Sequence, residues 1–226
     1  LPGVLQHYDC DICHNKGVIE YIDDNLNETC KTCECMKIRA CYEAMAKSGI
    51  TSDMVKRFRF DQYKESVHEW QTKMKHTAMR YAQSDLSEWL LLAGQSGTGK
   101  THLCTAVCSY LLGKGHEVKY VLWHDVARKL NSLKFKNDEF DAYIKTIHEA
   151  EILYIDDLFK TDKSAGLAFE ILNQRYMSRK PTIISTEATI DIMMQIDEAV
   201  ASRVSEMTKN YNCQLKRDTG RNYRLW

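Results

Sequence analysis

The sequence predicts an α/β fold: a mostly parallel sheet with helices on both faces, carrying a phosphate-binding loop (P-loop) and preceded by a small zinc-ribbon-like module. Three observations predict it. The eight residues Gly94-Gln-Ser-Gly-Thr-Gly-Lys-Thr101 match the pattern G-x-x-x-x-G-K-[ST] and directly follow the apolar run Trp89-Leu-Leu-Leu-Ala93. Short apolar, β-branched runs alternate with helical patterns through the rest of the chain, which favours parallel strands joined by crossover helices. Six of the nine cysteines lie within the first 41 of 226 residues, so a cysteine-rich front precedes an ordinary α/β body.

A strand feeding a glycine-rich turn, with a helix opening at Lys100, aims successive backbone N–H groups and the positive end of the helix dipole at one point. That arrangement suits a nucleoside triphosphate. Gly94, Gly97 and Gly99 permit backbone conformations and close approaches that a Cβ would block. Lys100 can reach the β- and γ-phosphates, and the Thr101 hydroxyl can ligate Mg²⁺. Gln95, Ser96, Thr98 and His102 complete the stretch expected to line the nucleotide.

Two close cysteine groups mark the front end: Cys10-Asp-Ile-Cys13-His14 and Cys30-Lys-Thr-Cys33-Glu-Cys35. A C-x-x-C turn places two sulfurs on one ion without distorting the backbone, and zinc prefers four such ligands in a tetrahedron. Spacing prefers Cys30 and Cys33 as the second pair, Cys33 and Cys35 are equally reachable, and His14 can substitute. Gly17-Val-Ile-Glu-Tyr-Ile22 alternates as a short strand and Asp23-Asp-Asn25 reads as a turn, so a knuckle and hairpin are expected. Disulfides are disfavoured because a P-loop protein belongs in a reducing compartment. A module this small is not expected to fold without its metal.

Residues 36–84 lack proline and have a single glycine, Gly49, so they are expected to be largely helical with a break near Ser48-Gly-Ile50. Past the loop, a helix over residues 100–112 should stop at Gly113-Lys-Gly115. Val118-Lys-Tyr-Val-Leu-Trp123 follows as a buried strand, then helical stretches from His124 and over residues 138–150. Ile152-Leu-Tyr-Ile155 is a strand ending in Asp156-Asp157, a Walker B pattern: Asp156 would hold Mg²⁺ through water beside Thr101, and Asp157 would polarise the attacking water.

Charge is balanced, 31 basic against 31 acidic residues, so any DNA-binding surface must be local. Lys56, Arg57, Arg59, Lys64, Lys73, Lys75 and Arg80 are interleaved with Asp53, Asp61, Glu65 and Glu69 and read as a solvated helix face. No apolar stretch approaches the roughly 18–20 residues that span a bilayer, so a soluble intracellular protein without a membrane partner is expected.

The order Walker A, Walker B, Pro181-Thr-Ile-Ile-Ser-Thr186 and Ala201-Ser-Arg203-Val resembles the AAA+ ATPases of the DnaC, DnaI and IstB group, which are replicative helicase loaders and their transposition relatives. Cys10-x-x-Cys13 followed by Cys33-Glu-Cys35-Met-Lys is similar to the zinc-bearing front end of phage-type and DnaI-like loaders, which favours Cys33 and Cys35 over Cys30. Phe58-Arg-Phe60-Asp-Gln-Tyr63 resembles the short motif these proteins carry before the core. The resemblance implies three regions: a zinc-binding module at 1–45, the helicase-interaction candidate; a helical linker at 46–84; and an AAA+ core at 85–226 without a C-terminal lid.

By the same resemblance, Thr186 takes the sensor 1 place, with Glu187 where many relatives have asparagine. Arg203 matches the arginine finger that reaches a neighbouring subunit's nucleotide, with Arg175 and Arg179 as runners-up; Arg221 or Arg224 stand in for sensor 2. The segment from His124 to Glu149 corresponds to the added helical element that lines a single-strand DNA path, with Lys129, Lys134 and Lys136 as candidate phosphate contacts. The implied function is ATP-dependent loading of a hexameric replicative DNA helicase onto single-stranded DNA, with ATP, Mg²⁺ and Zn²⁺ as cofactors and an ATP-dependent self-assembled oligomer as the active form. The implied setting is the bacterial cytoplasm, leaning toward a phage-encoded member. The alternatives are an IstB-like transposition ATPase acting with a transposase on duplex DNA, and an ATP-binding antagonist of a host helicase or loader.

Overall fold

The structure, a computed structural model, describes residues 9–23, 26–40, 52–65, 68–160 and 164–222. At the front, β1 (Val18–Ile22) and β2 (Glu28–Thr32) pair as an antiparallel hairpin with Val18 opposite Thr32 and Ile22 opposite Glu28. Residues 35–40 continue as helix. Two strands cannot bury a core of their own. The centre of this module is instead the four buried cysteines Cys10, Cys13, Cys33 and Cys35, with Ile19 and Met36 against them.

The body is a five-stranded sheet. Its strands are β3 (Leu90–Ala93), β4 (Val118–Leu122), β5 (Ile152–Leu158), β6 (Thr182–Thr186) and β7 (Asn212–Gln214), and they lie in the order β4-β5-β6-β3-β7 with every neighbouring pair parallel. Parallel strands covered on both faces need apolar side chains on both, and the sequence supplies them. Leu90, Leu92, Tyr120, Tyr154 and Ile183 face α2 (Glu69–Ala82) and α3 (Lys100–Gly113), whereas Trp89, Leu91, Ala93, Val121, Leu153, Ile155 and Ile184 belong to the second core. That second core draws on α4 (Trp123–Ser132), α5 (Asn137–His148), α6 (Ala165–Met177), α7 (Ile190–Ile196) and α8 (Glu198–Met207). A short α1 (Ser52–Arg57) precedes them all. No helix among the described residues is long and apolar enough to cross a membrane.

Local chemistry accounts for several boundaries. Helix α3 ends where Gly115 takes φ 89° and the His116 N–H returns to the Leu111 carbonyl, a glycine-terminated helix end. Helix α8 is capped by Asp197, whose carboxylate accepts from the Val200 N–H at 2.9 Å. Strand β4 stops one residue early, because Trp123 opens α4 and turns its ring into the core at 1% exposure.

Three elements differ from the sequence expectation. The stretch expected as mostly helix is interrupted: among the described residues between α1 and α2, the helical ones are a single turn of 3₁₀ helix at Phe60–Gln62. The lead-in residues stay out of helix because they cross the phosphate-binding loop. The break foreseen near Ser48-Gly-Ile50 lies outside the described residues. Strand β5 runs on through both aspartates to Leu158, with a bulge: Ile155 pairs with Ile184, but the next pair is Leu158 with Thr186, leaving an extra residue on β5 and Asp157 at φ 55°. Strand β7 is short and mixed in polarity, so no periodic pattern announces it.

Candidate functional site

Strand β3 delivers the chain to the loop, and Gly94 holds it there by donating to the Thr186 carbonyl of β6 at 3.0 Å. Gly97 and Gly99 take φ of 81° and 85°, the left-handed region that side chains resist. A Cβ at Gly97 would collide with the Asn222 side-chain amide oxygen, and one at Gly99 would stand 2.7 Å from Tyr63 Cε2. Both sides of the loop are thus covered. Tyr63 donates to the Thr98 carbonyl at 3.5 Å, His102 meets the Arg59 carbonyl at 2.9 Å, and the rings of Phe58 and Tyr63 lie 5.0 and 5.3 Å from that of His102. The lead-in segment and the loop together enclose a cleft of about 540 Å³ lined by Phe58, Tyr63, residues 96–102, Asp157 and Lys160, among others.

Lys100 is 5% exposed, and its ammonium donates to the Gln95 carbonyl at 2.9 Å. Burial lowers its pKa, opposed by the charges of Glu187 and Asp157. A desolvated cation beside glycines of left-handed conformation at a helix N-terminus is a fit for phosphate.

The two Walker elements meet as expected, with Thr101 Oγ1 donating to Asp156 Oδ1 at 3.2 Å. Asp156 is 4% exposed and is ringed by hydroxyls. Tyr154 donates to Oδ1 at 2.9 Å, Tyr120 to Oδ2 at 3.2 Å, and Ser185 to Oδ1. These donors stabilise a buried carboxylate that would otherwise be costly to desolvate. A threonine hydroxyl against a carboxylate at a strand's carboxyl end is a donor set suited to a hard cation such as Mg²⁺. The tyrosines could not have been found from the sequence, since they meet at Asp156 only because β4 and β5 pair Tyr120 with Tyr154.

Asp157 projects into the cleft, where Lys160 Nζ lies 2.9 Å from its Oδ2 and 3.4 Å from Glu187 Oε1. Thr186 departs from the sensor expectation. It is fully buried, donates to the Leu158 carbonyl at 2.6 Å and accepts from the Ala188 N–H at 2.9 Å, so its hydroxyl is used to close the β5–β6 bulge. The neighbouring Glu187 is the half-buried polar group at this strand end.

Arg203, on α8, stands apart from this chain's own cleft. Its guanidinium donates to Asn173 Oδ1 and the Ala199 carbonyl, each at 2.9 Å, and lies over the Phe169 and Tyr176 rings at 4.9 and 5.6 Å. The first runner-up is corrected outright. Arg175 is fully buried and donates to Thr182 Oγ1 and to the carbonyls of Ile147, His148, Ala150, Glu151 and Pro181, which ties α6 to the end of α5 and the start of β6. Arg179 lies near Met207 and over Tyr176. Arg221 is held by the Lys216 carbonyl and Asp218, while Arg224 lies outside the described residues. Of the candidate DNA contacts, Lys129 lies over the Tyr143 ring at 4.1 Å and Lys136 pairs with Glu139 at 3.0 Å. Between Lys134 and Lys136 stands Phe135, 94% exposed, an aromatic that composition alone did not single out.

At the front, the sulfurs of Cys10, Cys13, Cys33 and Cys35 all lie within 4.8 Å of one another. Cys10 and Cys33 are 3.8 Å apart, and Cys13 and Cys35 3.4 Å, so these are thiols and not disulfides. A tetrahedral zinc site with bonds of about 2.3 Å has sulfurs about 3.8 Å apart, so the cluster fits that ion. Cys30, in the middle of β2, is exposed, as is His14, so neither belongs to the cluster. Burial raises the Cys13 thiol, but the Gly17 N–H and the Cys35 thiol outweigh it and bring it down to about 6. Beneath the sulfurs, Arg39 is 2% exposed and donates to Asn15 Oδ1 at 2.7 Å, which also accepts from the Cys10 N–H.

The bacterial DnaA ATPase domain family matches residues 54–208, about two thirds of the chain. Among curated proteins, the uncharacterized protein YqaM of Bacillus subtilis is 30% identical over 202 residues, which span 83% of this chain but 64% of YqaM. The phage-like element PBSX protein XkdC of Bacillus subtilis is 29% identical over 223 residues, covering 92% of this chain and 83% of XkdC. Among solved structures, the DnaC helicase loader superposes with a TM-score of 0.59 at 25% identity, covering 71% of this chain and 99% of that one. The parallel sheet, the glycine loop with its buried lysine and the Thr101–Asp156 junction are thus those of an AAA+ P-loop fold, and the chain belongs to the bacterial DnaA ATPase domain family.

Proposed function

We propose that this protein is an ATP-dependent loader of a hexameric replicative DNA helicase onto single-stranded DNA. The observation that carries the reading is the match to essentially the whole DnaC helicase loader structure, joined here to a separate four-thiol module. In this reading residues 1–45 hold zinc through Cys10, Cys13, Cys33 and Cys35 and grip the helicase, residues 46–84 link, and residues 85–226 form the motor. Bound zinc supplies the cross-link that so small a module needs in order to fold. The likeness to a phage-like element protein supports a phage-encoded origin and a bacterial cytoplasmic setting.

Lys100 neutralises the β- and γ-phosphates of ATP, Thr101 and Asp156 hold Mg²⁺, and Asp157 orients the lytic water. Arg203 completes the site of a neighbouring subunit. An arginine supplied in trans contributes roughly 10³- to 10⁵-fold in rate, so hydrolysis depends on assembly. Lys129, Lys134 and Lys136 track a single strand's phosphates, and Phe135 offers a base a stacking surface between two of these lysines.

The test is a mass measurement on mixtures by size-exclusion chromatography with light scattering. Zinc-loaded protein combined with a hexameric replicative helicase should give a discrete complex heavier than the hexamer, with a mass that changes with ATP·Mg²⁺. Protein carrying serine at Cys10, Cys13, Cys33 and Cys35 should give none. Equal binding by that variant sinks the grip assigned to the module. Absence of any complex across several well-folded host helicases redirects the reading to a transposase and duplex DNA.

A further inference from the structure

Lys160 sits on the turn after β5 with its ammonium between two carboxylates, 2.9 Å from Asp157 and 3.4 Å from Glu187. Its backbone N–H closes the turn onto the Asp157 carbonyl at 3.1 Å, and Phe159, just before it, is anchored in the core at 3% exposure. The side chain is 38% exposed and lines the same cleft as Lys100, Thr101 and Asp157. It is therefore a positioned cation at the nucleotide cleft and not a loose surface lysine. Partial burial disfavours its charge, but the bond to Asp157 and the charges of Asp157 and Glu187 outweigh this and raise its pKa. The Lys100 ammonium in turn feels Glu187, Asp157 and Lys160, which sets both lysines and the carboxylates in one electrostatic unit.

The hydroxyls at the cleft end of β6 are already engaged, and Ser185 donates to Asp156 Oδ1. Thr186 is turned into the bulge, and Glu187, a carboxylate, comes next. Two carboxylates facing a terminal phosphate would repel it unless a cation were placed with them. We infer that Lys160, held by Asp157 and Glu187, is the cation that distinguishes a nucleoside triphosphate from a diphosphate at this site. The inference rests on the nucleotide reading given above and adds to it a residue and a specificity. Lys160 offsets the Asp157 and Glu187 charges and presents its remaining N–H to the γ-phosphate, on the side away from the glycine loop, which holds the α- and β-phosphates, while Lys100 reaches the β- and γ-phosphates from the loop side.

The experiment is equilibrium titration of fluorescent ATP and ADP analogues with the full chain in Mg²⁺, comparing wild type with Lys160→Met, Lys160→Arg and Glu187→Gln. The quantity read is the ratio of the two dissociation constants. Lys160→Met should weaken ATP relative to ADP by about fivefold, the scale of one partly screened charge pair, and Lys160→Arg should keep the ratio within about twofold. Glu187→Gln removes an opposing charge and should raise the preference for ATP. An unchanged ratio in Lys160→Met, or equal weakening of both nucleotides, overturns the inference and leaves Lys160 a structural ion-pair partner. A fall in ATP preference for Glu187→Gln overturns it as well. Failure of the wild-type protein to bind either nucleotide overturns the nucleotide site itself, which is a separate and recognisable outcome.

Discussion

Replacing Arg175 with methionine should destabilise the fold while leaving the nucleotide cleft untouched. The guanidinium makes three short bonds: 2.6 Å to the Pro181 carbonyl, 2.8 Å to Thr182 Oγ1 and 2.9 Å to the Ala150 carbonyl. It makes longer ones to Ile147, His148 and Glu151. Methionine fills much of the volume and satisfies none of these acceptors. Counting about 1–1.5 kcal/mol for each short bond left unmade, and nothing for the longer ones, gives about 3–4.5 kcal/mol, within the range for breaking a buried charged network. At about 2–4 °C per kcal/mol for a chain of this size, the melting temperature should fall by about 10 °C. Thermal unfolding by circular dichroism reads that shift. A second readout is local: burial, then the charges of Arg175 and Lys180, hold the His148 imidazole below its usual range, so its pKa by NMR titration should rise in the variant. A wild-type melting temperature combined with lost assembly-dependent ATPase would refute the reasoning and return Arg175 to the role of a finger.

Three further expectations can be checked alongside it. Gly97→Ala places a Cβ against Asn222 at a residue with φ 81°, so nucleotide binding by calorimetry should be abolished, with about 1–2 kcal/mol of destabilisation from the backbone alone; wild-type affinity would show that the loop shifts freely. Cys33→Ser should cut zinc affinity, measured by competition with a chromophoric chelator, by more than about tenfold, while the exposed Cys30→Ser leaves it unchanged; loss in Cys30→Ser would restore the alternative pairing. His102 and His148 both have pKa values lowered by burial, so the unfolded chain binds more protons just below pH 6.5 and stability is lost as pH falls through the window between 6.5 and the lower folded values. Denaturant midpoints should drop from pH 7 to pH 5.5, and substituting both histidines with glutamine should flatten that slope.

The sequence by itself determined the parts of this protein whose chemistry is local. A glycine loop after an apolar strand, a helix stop at Gly113-Lys-Gly115 and the C-x-x-C turn each depend on a few adjacent residues, and the structure has them where the chain implies. The strand-to-loop-to-helix reading also carried Thr101 toward Asp156, because parallel crossovers bring consecutive strand ends to one edge. Tertiary structure decided everything that depends on which distant residue arrives. Cys35 rather than Cys30 completes the sulfur cluster because β2 points Cys30 outward, whereas the turn after it directs Cys33 and Cys35 inward. Tyr120 and Tyr154 reach Asp156 only through the β4–β5 register, and Thr186 loses its hydroxyl to a bulge that one extra residue on β5 creates. Arg175 and Arg203 look alike as letters on neighbouring helices. Burial beneath six acceptors makes the first a structural tie, whereas the second keeps a half-exposed place on α8 with bonds to Asn173 Oδ1 and the Ala199 carbonyl; where a guanidinium spends its donors is a matter of tertiary structure.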